Sequence, residues 1–96
     1  MAEDSDTSVR DADQKAKDHA AMLGSVSVIT SVIATHNKGS DATSEDFGHD
    51  MTHDEKKARV ARSNGYLVHM KALDDWGSES FTEIDAAISA ANSFTA

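Results

Sequence analysis

Mostly apolar positions in the first third of the chain repeat with the period of an α-helix. They recur every three or four residues, as one stripe of a helix requires; the stripe consists of Val9, Ala12, Ala16, Ala20, Leu23, Val26, Thr30 and Ile33. Ser5 or Thr7 can cap the start of such a helix, and Asn37-Lys38-Gly39 supplies a basic last turn followed by a left-handed stop. The pattern predicts a first helix over residues 7–36, about 45 Å long.

The segment HAAMLGSVSVITSVIATH, residues 19–36, contains no formally charged side chain and also fits two other structures. Its β-branched residues favour a strand, but Ile29 and Ile33 would then face away from Val28 and Val32, so both faces would need to be covered. A membrane span needs about 20 apolar residues, whereas 16 residues lie between the two histidines and five of them are Ser or Thr. We therefore prefer the helix, and we expect no membrane partner.

A capping motif predicts where the second helix begins. Residues 37–52 are rich in Gly, Ser, Thr and Asp without an apolar period, which is typical of a loop. Thr52-His53-Asp54-Glu55 then matches a capping box, so a helix is expected over residues 53–75. Ser63-Asn64-Gly65 is a turn signal within this stretch, and its Asn-Gly pair could instead join two strands in a hairpin. A continuous helix is the preferred interpretation.

A second capping box, Ser80-Phe81-Thr82-Glu83, predicts a third helix over residues 80–95. The apolar stripe of this helix comprises Phe81, Ile84, Ile88, Ala91 and either Phe94 or Thr95. The predicted fold class is all-α: a helical hairpin or three-helix arrangement with a long N-terminal helix and a polar central loop. Residues 1–96 are expected to form a single helical domain.

Large apolar side chains are scarce in this chain, which limits the core that one copy can form. Val, Ile, Leu and Phe number 6, 4, 3 and 3, whereas there are 15 alanines, and an alanine contributes far less contact area than a leucine. A single copy is therefore expected to have a sparse core that neighbours complete. Because small side chains permit close helix approach, we predict an interface that comprises Ala16, Ala20, Gly24, Ser27, Ser31, Trp76, Phe81, Ile84 and Ile88.

The chain is acidic, with 17 acidic residues against 9 basic ones and a formal net charge of −8. Such a surface repels nucleic-acid phosphates, so no direct nucleic-acid partner is expected. The basic run KKARVAR at residues 56–62 is interpreted as a solvated helix stripe. There is no cysteine, which excludes disulfides and thiolate metal sites within this chain. The polar N-terminal sequence is unlike a classical secretory signal, and we expect a location in the cytoplasm or within a virion or other assembly.

Histidine and aspartate residues form the one cluster with metal-ligand chemistry. His49 and His53, with aspartates at positions 46, 50 and 54, are the candidate metal ligands. If Thr52 caps the helix, His49 lies outside it and the pair shares no helical face, so no metal or other cofactor is predicted. His19 and His36 are interpreted as the polar edges of a buried segment, with a pH-sensing pair as the alternative.

No Gly-rich phosphate loop, Gly-x-Ser-x-Gly elbow or metalloprotease motif is present in the sequence, and an enzyme is not expected. The shortage of bulky side chains and the long first helix favour a structural or assembly protein. It would be a small acidic helical subunit that packs as a homo-oligomer or against a larger protein, such as a phage virion component. The alternative is an acidic inhibitor whose carboxylates mimic nucleic-acid phosphates and occupy a basic cleft of another protein.

Overall fold

Three α-helices form the part of the chain described by the computed structural model, which covers residues 10–96. They are α1 (Ala12–Lys38), α2 (His53–Lys71) and α3 (Thr82–Thr95), and one turn of 3₁₀ helix (Gly39–Asp41) follows α1 directly. Residues 10–96 contain no strand. The predicted all-α class, with three helices of which the first is long, is confirmed.

The three helices run up, down and up, and each packs against the other two. At one end of the bundle, His36 of α1 stacks on His53 at the start of α2, and both rings contact Phe94 near the end of α3. At the opposite end, His19 of α1 lies against Trp76 in the connection between α2 and α3. Helices that are consecutive in sequence are therefore antiparallel, and α3 runs parallel to α1.

α1 starts at Ala12 rather than at residue 7, and it ends at Lys38, beyond the predicted residue 36 but within the predicted Asn37-Lys38-Gly39 stop. The helix begins at Ala12 because Asp11 is its N-cap and accepts a hydrogen bond from the backbone N–H of Gln14 at 2.8 Å. Arg10 is not helical, and the caps predicted at positions 5 and 7 lie outside the described residues. At the other end, Gly39 adopts a φ of 57°, the left-handed conformation that glycine reaches without strain.

The predicted capping box opens α2. Thr52 Oγ1 accepts a hydrogen bond from the Glu55 backbone N–H at 3.1 Å, and Glu55 Oε1 accepts one from the Thr52 backbone N–H at 2.8 Å. The turn signal at residues 63–65 does not interrupt the helix, so the continuous-helix interpretation is correct. The side-chain amide of Asn64 donates to the side-chain oxygen of Asn92 at 2.9 Å, which ties this stretch of α2 to α3.

The connection between α2 and α3 departs from the prediction at both ends. α2 ends at Lys71 rather than at residue 75, and the Trp76 indole folds back to donate to the Met70 carbonyl at 2.8 Å. The second predicted capping box is absent, because Phe81 is the N-cap of α3 and no side-chain hydrogen bond caps the helix start. Packing explains the difference: the Phe81 and Trp76 rings meet edge to face with centroids 5.4 Å apart.

Nine apolar side chains are buried among the described residues: Met22, Ile29, Val32, Val60, Leu67, Trp76, Ile84, Ala87 and Ala91. The stripe predicted for α1 is wrong, because its exposed members include Ala12, Ala16, Ala20, Leu23 and Thr30. The buried side of α1 instead follows Met22 and Ile29, seven residues apart as in a coiled-coil seam. Relative to the prediction, α1 is rotated by about a third of a turn, since its bulky residues rather than its alanines occupy the interior.

Candidate functional site

The five small residues of α1 that were predicted to form an interface lie on the side of the helix that faces away from the core. This side, termed the outward face, comprises Ala16, Ala20, Gly24, Ser27 and Ser31; the first four are exposed and Ser31 is half-buried. Two positions along a helix correspond to about 200° of rotation, so Ala20 and Ser27 lie opposite the buried Met22 and Ile29. No atom lies within 4 Å of a Cβ added at Gly24, so the face is open there.

The outward face combines exposure with the absence of charge. Its central part lies in the segment from residue 19 to residue 36, which has no formally charged side chain, although 27% of the chain is charged. Leu23, at the edge of the face, is 36% exposed. From Ala20 to Ala34 the uncharged surface is about 20 Å long.

A groove between α1 and α3 borders the outward face. It has a volume of about 390 Å³ and is lined by Val26, Thr30, Glu83, Ala86, Ala87 and Ala90. The alanine side chains of α3 are short, so this helix protrudes little beside the groove. A helix that packed on the outward face would therefore also contact α3. The small residues therefore continue from α1 onto α3, and the exposed Glu83 forms a charged edge of the groove.

The stretch Ala12–Asp41 is long and apolar enough to cross a membrane when judged by length and composition alone. Its most apolar window of 18 residues has a mean hydropathy of 1.2, and 22% of that window is buried. Core helices of soluble proteins and signal sequences meet the same criteria, so one such helix is weak support for a span. The absence of a membrane partner stays a prediction.

The interface residues predicted outside α1 occupy other surroundings. Trp76 is 8% exposed and Ile84 is 1% exposed, because the chain's own helices enclose both side chains. Neither is accessible to a partner in this conformation, so the structure does not place them on the outward face. Phe81 and Ile88 are half-buried against the core. Ile88 also borders a groove between α2 and α3 that includes Val68, Lys71 and Ala72.

An ion-pair network covers Trp76 at its end of the bundle. Arg10 donates to the Asp75 carboxylate from its backbone N–H at 3.0 Å and from Nε at 2.9 Å, and its Nη1 donates to Asp18 at 2.6 Å. The guanidinium carbon lies 4.2 Å from the centre of the Trp76 ring, within cation–π range. Hydrogen bonds from Arg10 hold the pKa of both carboxyl groups below their usual range. Sequence spacing gave no signal for this network, because Arg10 and Asp75 are 65 positions apart.

The candidate metal ligands are not arranged as a metal site. The His53 ring stacks on His36, with centroids 4.4 Å apart and planes inclined by 19°, and His49 lies in the loop before α2. Stacked rings present faces to each other, whereas a metal needs converging nitrogens. Among the residues the structure describes, no group of three or more His, Asp or Glu side chains could hold a metal ion. Burial lowers the pKa of His36, and the positive charges of His53 and Lys56 lower it further.

The basic run at residues 56–62 borders a polar groove between α1 and α2, which sequence analysis did not identify. This basic groove has a volume of about 360 Å³ and is lined by Ser25, Arg59, Arg62, Ser63 and Tyr66. The four α2 residues fall within about 100° of one another around the helix axis, so they lie on one side of the helix. That spacing could have indicated the α2 half of the groove, but the contribution of Ser25 depends on how α1 is rotated.

Comparison with known proteins does not assign this chain to a family. No protein-family model matches the chain, and searches of curated proteins and of solved structures also found no match. The function has to be argued from the surfaces themselves.

Proposed function

We propose that the protein is a non-enzymatic assembly subunit that associates with copies of itself, or with a larger protein, through the outward face of α1. One observation carries the proposal: this face is exposed, uncharged and built from small residues in a chain with a formal net charge of −8. Charged surfaces of like sign repel one another, so an acidic protein associates most readily where charge is absent.

The spacing of the small residues suits helix-to-helix packing. Ala16, Ala20 and Gly24 are four residues apart, as are Ser27 and Ser31, so the outward face follows the i±4 ridge of α1. Two such ridges interdigitate in the commonest packing class of globular proteins, with axes about 8–10 Å apart. A second copy of α1 would present the same ridge, which is the self-complementarity that a two-fold dimer requires.

One chain joins its three helices through a shared apolar cluster, which shapes the form of the proposal. The buried apolar residues of the described part meet one another across all three helices. The expectation that neighbours complete a sparse core stays a prediction. We propose that folded bundles associate, and that the contact covers the outward face of α1.

Sedimentation velocity over the micromolar range tests the proposal with two matched variants. Ala20 and Ala58 are both exposed alanines inside helices, the first on the outward face and the second on α2. We expect Ala20→Glu to shift the protein toward monomer, because it places a charge at the contact. Ala58→Glu adds the same charge elsewhere and should leave the association of the wild type unchanged.

Two results would contradict the proposal: a wild-type protein that is monomeric throughout, or equal effects of the two substitutions. Salt dependence separates the remaining alternative. Contact through an uncharged face persists as salt rises, whereas an acidic inhibitor in a basic cleft loses its partner, because salt screens exposed charges. Circular dichroism of both variants verifies that the helices remain folded.

A further inference from the structure

Positive charge that no described carboxylate neutralises is concentrated on one segment of α2. Most cations outside this segment bind an acidic side chain, as Lys17 does with Asp13 and Lys38 with Asp46. Four cations of α2 have no ion-pair partner within residues 10–96: Lys56, Lys57, Arg59 and Arg62. Acidic residues outnumber basic ones by 17 to 9 in this chain, so a basic segment without an ion-pair partner among the described residues needs its own explanation.

The basic groove beside this segment also contains hydroxyl groups without protein partners. Ser25, Ser63 and Tyr66 line it, and none of their hydroxyls bonds to another described residue. Ser63 is only 9% exposed. By contrast, Thr35, another buried residue, donates a hydrogen bond from its hydroxyl to the backbone carbonyl of Ser31 at 2.9 Å. The hydroxyls of Ser25, Ser63 and Tyr66 are not among the described buried polar atoms that lack a partner, so they reach the open groove, where the oxygen of a ligand could accept hydrogen bonds from them.

We propose that the basic groove binds a phosphate group, carried either by a small phosphate ester or by a lipid headgroup. The lining offers two guanidinium groups and three hydroxyls, all of them able to donate hydrogen bonds. A phosphate presents several acceptor oxygens in a tetrahedral arrangement and matches the planar fork of arginine. A carboxylate presents two acceptors in one plane and would leave part of the lining unused.

The geometry of the groove supports a small ligand group. Its volume of about 360 Å³ lies within the usual range of small-molecule sites, about 300–1,000 Å³. The guanidinium carbon of Arg59 lies 5.5 Å from the centre of the Phe47 ring, which restricts the motion of this arginine before a ligand arrives. The groove lies between α1 and α2, away from the outward face, so this site does not depend on the proposed assembly.

Nuclear magnetic resonance of the full chain labelled with ¹⁵N tests the site, with inorganic phosphate as the probe. Phosphate replaces chloride at constant ionic strength, so general screening does not change. We expect saturable shifts of the amide signals from residues 59–66 and of the Arg59 and Arg62 side-chain Nε signals. Arg62→Gln should weaken binding about tenfold, because it removes a charged donor at an exposed position. Ser63→Ala should weaken it about threefold, because it removes one neutral hydrogen bond.

Lys57→Gln is the matched control, because it removes one positive charge from the same basic run but does not line the groove. It should change the phosphate affinity by less than about twofold, since a residual effect of exposed charge is small in salt. Equal losses for Lys57→Gln and Arg62→Gln would overturn the site, because they would show attraction to net charge alone. Linear, non-saturating shifts with wild-type protein would overturn it as well.

Two further arms identify the carrier of the phosphate. Glycerol 3-phosphate in solution represents a free ester, and vesicles of phosphatidic acid in phosphatidylcholine represent a lipid headgroup. Binding of either one that Arg62→Gln reduces and Lys57→Gln spares supports the proposal and names the source. If neither binds, or if vesicles bind equally to wild type and Arg62→Gln, the proposal is wrong.

Discussion

The substitution Gly24→Ala separates the stability of one bundle from the packing of its outward face. Gly24 lies within α1, and an added Cβ would meet no atom within 4 Å. Glycine in a helix interior is about 0.5–1 kcal/mol less favourable than alanine. We expect the free energy of unfolding of the monomer to rise by that amount, which raises its thermal midpoint by about 2–8 °C for a domain of this size.

In the assembly, the same methyl group has the opposite effect. If another helix packs on the outward face, the absence of a side chain at residue 24 sets the distance of closest approach. A methyl group inserted into a packed contact costs about 1–3 kcal/mol. The association constant should therefore fall by about 5- to 150-fold, even though each bundle is more stable than the wild type.

Gly65→Ala is the matched control for this pair of effects. Gly65 is also helical, and an added Cβ there likewise meets no atom within 4 Å. We expect the same gain in thermal midpoint at a concentration where the protein is monomeric, measured by circular dichroism, and no change in association by sedimentation equilibrium. Stabilisation by Gly24→Ala without weaker association would refute the outward face as the contact. If Gly24→Ala does not stabilise the monomer, the added methyl group must meet other atoms. That result would contradict the open surroundings of Gly24.

Three other predictions concern the stability of the bundle. Leu67 is fully buried, and Leu67→Ala should lower the free energy of unfolding by about 2–5 kcal/mol in urea denaturation, whereas a loss below 1 kcal/mol would contradict the core assignment. Thr52→Ala removes the capping box and should cost about 1 kcal/mol; an unchanged urea midpoint would argue against that cap. The pKa of His36 is lowered from 6.5 by burial and by the charges of His53 and Lys56, so the unfolded chain binds the proton more readily. The stability conferred by neutral His36 is thus complete above pH 6.5 and falls as the pH drops through that value; His36→Gln should flatten this part of the curve, and an unaltered curve would contradict the assignment.

Local signals in the sequence were sufficient where a few neighbouring residues determine the structure. The capping box at Thr52 depends on one side chain and a backbone amide three residues away, and Gly39 depends on a conformation that other residues adopt with strain. The continuity of α2 through Gly65 also followed, because the helical period on both sides outweighed one unfavourable residue.

Features that depend on tertiary packing could not be predicted from local sequence signals. Alanines and bulky residues contribute equally to the periodic stripe of α1. Burial of Met22 and Ile29, however, removes far more apolar area from water than burial of alanines does, and this decides the rotation of the helix. The second capping box failed for a similar reason, since contact between Phe81 and Trp76 fixes the start of α3. The basic groove required both the α2 spacing and the rotation of α1, so only the three-dimensional arrangement shows it.

The contact of Arg10 with Asp75 has a consequence for the order in which the chain folds. It joins positions separated by 65 residues, and closing so long a loop before the helices have paired is entropically costly. We expect it to form after the folding transition state, so that its removal mainly accelerates unfolding and leaves the folding rate nearly unchanged. The Arg10–Asp75 contact therefore slows unfolding after the bundle has formed. It affects the lifetime of the native state more than the rate at which the native state forms.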